Sequence, residues 1–427
     1  MPKYLVLIFL LICWAGTGAA QDVQEGSTAI TGVVITNVGG SGNYEDVVQI
    51  SEGGFPCPDV DAACVKEDVC VSGSLAPFDE EVSLVFRGPM NIHNIAWYEG
   101  DESSLTRTSR WKPTKSVNTI FMKNLGGLEG CAGSWTPCGG NTQTYADSTG
   151  VGCAKEPTQF TGKLQGDMEV NMMTSEECAS QSQCGYYRGV GMRGWAGGPD
   201  GTKMVVFQVD MPHCGEEGFD SCAYDRPAIW ALNAKILRTT QYGCNCRSGS
   251  GGNGGCGEFD VLEAIVGFEY SDMLFTSVYD FKGTGRAPDD LYFPRPMSPT
   301  HYAAIFRGSN DSYLEVVQLD DWDYSEKEIS QSGSLLDGLR DQASGPYDIY
   351  GVDSREVDSC GDSDMCSKRG DACDSNKDCC DRKGNKTAKC MEGKCCSKKG
   401  KHCTLDRHCC KSKGLTCNKE ENTCVKA

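Results

Sequence analysis

The sequence is poor in histidine, with five in 427 residues, and has no H-E-x-x-H pair, which excludes a zinc hydrolase of that type. It has one long apolar run, Tyr4 to Trp14, too short to span a bilayer. Positive charge is scarce: 40 Lys+Arg against 59 Asp+Glu leave a formal net charge of -19, which argues against nucleic acid as a partner. Long helical patterns and repeated strand–helix alternation are missing, which argues against a parallel α/β fold. Residues 366–424 contain no Trp, Tyr or Phe, so stacking on sugar rings is closed to that segment.

What is present is glycine, cysteine and short strand-forming runs. Gly 52 implies many turns, and hydrophobic residues at 39% with charged at 23% are globular proportions. Residues 1–20 read as a secretory signal peptide: Lys3, then the apolar run, then Gly18-Ala19-Ala20 as cleavage site. The C-terminal residues lack the hydrophobic tail of a lipid anchor, so the expectation is a secreted product, extracellular or in a wall, with no membrane anchor. Of 27 cysteines, Cys13 leaves with the signal and 26 remain to pair in an oxidising compartment. Sequons stand at Asn310 and Asn385. Nothing calls for a metal or a cofactor.

Residues 21–74 form a Gly/Cys-rich N-terminal region, with a turn at Gly39 to Gly42. Cys57, Cys64 and Cys70 suggest a disulfide-tied subdomain with at least one bond leaving it. Residues 75–355 carry the strands: Val82–Phe86 and Ile92–Trp97 about a Gly88-Pro89 turn, Met204–Val209, Leu274–Tyr279, and a Tyr302–Arg307/Tyr313–Leu319 hairpin. Arg107 to Lys115 is polar and basic and reads as a loop, and Asp337 to Gln342 as a short helix. Cys178 and Cys184 are close enough to pair. The expected fold is all-β, a jelly-roll β-sandwich with an N-terminal disulfide-tied extension. Residues 366–395 and 396–427 are tandem cysteine-rich repeats that disulfides must hold. They are the two small disulfide-rich C-terminal modules of that fold. Residues 366–424 hold 15 Lys+Arg and 8 Asp+Glu, a local +7 against -26 for the remainder. That basic charge suits an anionic wall polymer or an acidic partner, with a protease-resistant cap as the alternative.

The run Gly255-Cys256-Gly257-Glu258-Phe259-Asp260-Val261-Leu262-Glu263 places three carboxylates among strand formers. On a strand, Glu258 and Asp260 share a face and Glu263 would turn away. One extra residue, a bulge at Val261-Leu262, restores Glu263 to their side. Crowded carboxylates raise one another's pKa, the condition for having one ionised nucleophile and one proton donor. A strand edge with solvated acids, or a calcium site, is the alternative.

Glu258-Phe-Asp-Val-Leu-Glu263 resembles the E-x-D-x-x-E signature of glycoside hydrolase family 16, and Pro227-Ala-Ile-Trp230 is similar to a segment of that family. Leu75 to Pro89, Trp230 to Tyr242, and Cys244-Asn-Cys246 leading to Cys256-Gly-Glu258 resemble the fungal Target-of-SBF-type cell-wall glycosidases, over about residues 30–350. The C-terminal repeats resemble knottins. The resemblance implies a retaining endo-β-1,3-glucanase acting on cell-wall β-glucan. Glu258 would be the nucleophile, Glu263 the general acid/base, and Asp260 would hydrogen-bond Glu258. A glucan transglycosylase or a non-catalytic wall-binding protein are the alternatives. Trp230 is the first candidate for a sugar platform, followed by Tyr242 and Trp195, with core packing the rival role for each. Asn233 and Gln241 would bond sugar hydroxyls or cap loops. Cys244, Cys246 and Cys256 would tie the Gly-rich loop 247–255 to the carboxylate strand, one of them through a distant partner.

Overall fold

Two sheets share one core because apolar residues alternate along nearly every strand. The computed structural model describes residues 27–348, interrupted at 52–56, 58–62, 217, 248–254, 266–271, 289 and 309–310, together with four short strands in the tail. The first sheet is 11-stranded, and its centre runs Met273–Asp280, Glu258–Glu263, Ala228–Asn233, Val82–Arg87, Glu169–Met173, Ile120–Lys123. The second is 10-stranded, and its centre runs Ser104–Lys112, Met90–Gly100, Lys203–Asp210, Thr300–Arg307, Tyr313–Leu319, Gly32–Thr36. Leu84, Phe86, Met172, Ile229 and Phe259 of the first sheet meet Trp97, Val205, Phe207, Phe306 and Val316 of the second in a single buried cluster. The all-β sandwich expected from the sequence is the observed architecture.

Several local expectations are corrected. Arg107 to Lys115 is not a loop: residues Ser104–Lys112 form a strand, pinned by buried Leu105 and Trp111 while its other residues face outward. Gly40 and Gly42 do not turn the chain but lie in an eleven-residue strand, Gly40–Ile50, paired with Cys64–Gly73. The late helix spans Ser332–Arg340, starting upstream of Asp337. Val82–Arg87 and Met90–Gly100 flank Gly88-Pro89 as expected, but they lie in different sheets, so the turn is a corner of the sandwich.

Cysteine pairing ties the N-terminal region to the body rather than to itself. Cys57 bonds Cys138 and Cys64 bonds Cys244. Cys131–Cys153, Cys178–Cys184, Cys214–Cys222 and Cys246–Cys256 clamp loops. The strand Gly32–Thr36 pairs with Tyr313–Leu319 and Ser344–Asp348, so the sandwich draws on residues upstream of 75. No helix among the described residues is long and apolar enough to cross a membrane. The leader, both sequon asparagines and most of the cysteine-rich tail lie outside the described residues. Within the tail, Ala388–Met391 pairs with Lys394–Ser397, and Leu415–Asn418 with Thr423–Lys426, one ribbon per repeat.

Outside the main core the second sheet is covered by the Ser332–Arg340 helix, whose Leu336 and Leu339 pack on Tyr313 and Val317. Glu315 shares that strand face and is fully buried, with neither carboxylate oxygen hydrogen-bonded. The nearby arginines are engaged elsewhere: Arg307 with Asp337 at 2.6 Å and Glu102 at 2.9 Å, and Arg340 with Asp311. Burial pushes the Glu315 carboxyl up to about 8.

Candidate active site

The carboxylate strand Glu258–Glu263 departs from regular pairing where its sequence requires it to. On one side Asp260 pairs with Ser277 and Glu263 with Phe275, so Val261 and Leu262 together oppose the single residue Thr276. On the other side, Trp230 pairs with Asp260 and Ile229 with Leu262. This is the β-bulge that the odd spacing of the acids demands. Both bulged side chains enter the core, and the Thr276 hydroxyl donates to the Val261 carbonyl at 2.9 Å. Glu263 is thereby returned to the face that carries Glu258 and Asp260. Asp260 hydrogen-bonds to both glutamates.

The neighbouring strands complete the surface. Glu263, Ala228, Arg87 and Glu169 stand in one row across four strands. Ala228 is small enough for the long Arg87 side chain to pass over it. Arg87 reaches Glu263 at 3.0 Å and lies 3.8 Å from Glu169. The Tyr242 hydroxyl donates to Glu169 at 2.7 Å, and the Gln241 amide reaches Glu169 at 3.2 Å. Next to this row, Trp230 lies beside Asp260, with the Arg87 guanidinium 5.4 Å from its ring centre. Arg247 grips both oxygens of Glu258 through Nε and Nη2.

Electrostatics divides the three acids. Burial raises the Asp260 carboxyl well above its usual range, and Glu263 and Glu258 push it further. Asp260 is therefore the protonated member, donating to its neighbours. Burial also raises Glu258, and Arg247 opposes that rise. Glu258 is 4% exposed, whereas the Glu263 side chain is 24% exposed and faces the opening. Buried, crowded carboxylates of unequal proton affinity can support paired acid and nucleophile chemistry.

The five residues considered for sugar contact separate into three groups. Tyr242, 45% exposed, stands at the mouth. Trp230 and Gln241 are at the site but closed to solvent, Trp230 with 3% exposed. Trp195 and Asn233 are corrections. Trp195 is buried in the main core, stacked on Trp97 at 4.2 Å between ring centres, its indole N–H bonded to Ser109. Asn233 caps the helix Ala234–Thr239 by accepting from the Lys235 N–H, and its amide donates to Glu80 and to the Cys256 carbonyl. It braces the entry to the carboxylate strand.

Arg87, Glu169 and Arg247 were not singled out from the sequence. For two of them strand parity carried the signal. Leu84 and Phe86 point into the core, so Arg87 points out, and Val170 and Met172 do the same for Glu169. Arg247 had no such signal, because it opens a Gly-rich loop. Its position follows from Cys246–Cys256, which closes that loop two residues before Glu258. Cys244 takes the distant partner, Cys64. Gly255, at φ +62°, sits so close that a Cβ there would meet the Cys246 carbonyl oxygen at 2.0 Å.

No solved structure matches the chain. It is 31% identical over 295 residues to a Saccharomyces cerevisiae protein named probable circularly permuted 1,3-beta-glucanase YJL171C, covering 65% of this chain and 69% of that one. It is 31% identical over 283 residues to the probable circularly permuted 1,3-beta-glucanase PGA52 of Candida albicans, covering 63% and 69%. To the similarly named TOS1 of Saccharomyces cerevisiae it is 34% identical over 241 residues, which is half of that protein's length. Residues 31–100 match the N-terminal model, and residues 103–334 the C-terminal model, of the cell wall protein YJL171C/Tos1 family. The chain belongs to the YJL171C/Tos1 family of cell wall proteins.

Proposed function

We propose that this protein is a retaining glycoside hydrolase acting on β-1,3-glucan of cell walls, with Glu258 as nucleophile and Glu263 as general acid/base. The observation that carries this reading is the bulge at Val261–Leu262, which brings both glutamates to one face with Asp260 hydrogen-bonded between them. The names of the relatives supply the substrate class. In the first step Glu263 protonates the leaving oxygen while Glu258 attacks the anomeric carbon. In the second, Glu263 removes a proton from water, which cleaves the glycosyl ester. A sugar hydroxyl in place of that water would give transglycosylation.

The arginine grip on Glu258 and the covered ring of Trp230 favour a second reading, a glucan-binding protein without turnover. Incubation with laminarin separates the two. The enzyme reading expects new reducing ends that increase linearly with protein. Retention on insoluble β-1,3-glucan with no reducing ends after prolonged incubation supports the second reading and contradicts the first.

A further inference from the structure

We propose that Arg247 is the positioning residue that charges and aims Glu258, so that the loop closed by Cys246–Cys256 is a working part of the site. This rests on the reading of Glu258 as nucleophile. The guanidinium meets the carboxylate fork to fork, with Nε on one oxygen and Nη2 on the other. That geometry is specific to arginine, since a lysine ammonium offers a single point of charge. Glu258 is almost fully buried, where a lone carboxylate would keep its proton.

Every element packed against Glu258 has been considered for a charge that could do this instead. Its own strand brings Asp260 and Glu263, whose ionised forms would oppose a second negative charge. The paired strands bring Tyr279 on one side and Leu232 on the other. Arg87 is spent on Glu263 and Glu169. Tyr242 donates to Glu169 and lies near both arginines. Among the described residues Arg247 is the cation in contact with Glu258.

The arginine side chain is itself partly exposed. It therefore closes the nucleophile from the solvent side and is free to adjust when a sugar enters. In the reaction, the bond from the anomeric carbon to the leaving oxygen breaks, that oxygen takes the Glu263 proton, and one Glu258 oxygen bonds the carbon. Arg247 loses its paired charge in the ester. It regains that charge when water, giving its proton to Glu263, releases the sugar. The contact therefore favours the free carboxylate at the start and at the end of the cycle.

The test uses the full chain with Arg247→Gln and Arg247→Lys, each checked for folding by circular dichroism and for intact disulfides by thiol titration. The first readout is independent of turnover: a carbon-13 titration of the side-chain carboxyls, with the Glu258 signal assigned by its loss in Glu258→Gln. In Arg247→Gln the Glu258 pKa is expected to rise by at least about one unit, with the lysine variant between it and the native protein. The second is the pH profile of kcat/KM on laminarin. Its acid limb should move upward by the same amount, because less Glu258 is ionised at low pH, and the rate near pH 5 should fall by about 100-fold and recover as pH rises. An unmoved Glu258 titration, or an unmoved limb with equal or faster turnover, overturns the proposal. Loss of all turnover in the native protein would refute the hydrolase reading, and the titration would still decide whether Arg247 charges Glu258.

Discussion

Glu258→Gln is expected to lower kcat on laminarin by about 10⁴-fold or more, with the fold retained. The amide is a poor nucleophile and cannot form a labile glycosyl ester. The substitution is close to isosteric, and its carbonyl oxygen can still accept from Arg247, whose side chain has access to solvent. The Val261–Leu262 bulge depends on neither group, since its free carbonyl is held by Thr276. Loss of turnover should therefore come with a near-native melting temperature and near-native glucan retention. Full activity in this variant would remove Glu258 from the chemistry.

Glu315→Gln should stabilise the protein, and the gain should depend on pH in a defined direction. The carboxyl is held near 8 in the folded chain by burial, against an ordinary value of about 4.5. The folded pKa is the raised one. Its favourable contribution is complete below the unfolded pKa and declines as pH rises toward 8, because the unfolded chain ionises first and releases its proton. The decline is at most about 1.4 kcal/mol per pH unit. The glutamine variant does not titrate there. Its advantage in urea unfolding should be small at pH 4, grow to a few kcal/mol by pH 8, and then level off. A difference independent of pH would mean that Glu315 is ionised in the folded protein at all these values.

The family and the disulfide-clamped body place the protein in the secreted, cell-wall compartment. Within that body, what the sequence made legible was set by periodicity. The sandwich followed from period-two runs such as Met204 to Val209, and the bulge from the odd interval between Asp260 and Glu263. Parity also held Arg87 and Glu169, and it was not followed outward from the core residues beside them. Other features were hidden for physical reasons. A tryptophan is equally suited to a core and to a sugar platform, and Trp195 has no strand around it to assign its face. The strand Ser104–Lys112 carries so many polar residues that two apolar anchors were its whole signal. Arg247 becomes visible only with the pairing of Cys246 and Cys256, which spacing alone leaves open.

The most direct measurement is to trap the covalent intermediate. Incubation with a laminaribiosyl donor carrying fluorine at C2 and an activated leaving group slows ester breakdown, and peptide mass spectrometry then locates the sugar. The expected result is one glycosyl group on the peptide containing Glu258, bound to that side chain, and none in Glu258→Gln. Turnover of laminarin without any labelled Glu258, or a sugar carried by Glu263 instead, would contradict the assignment of roles on this strand.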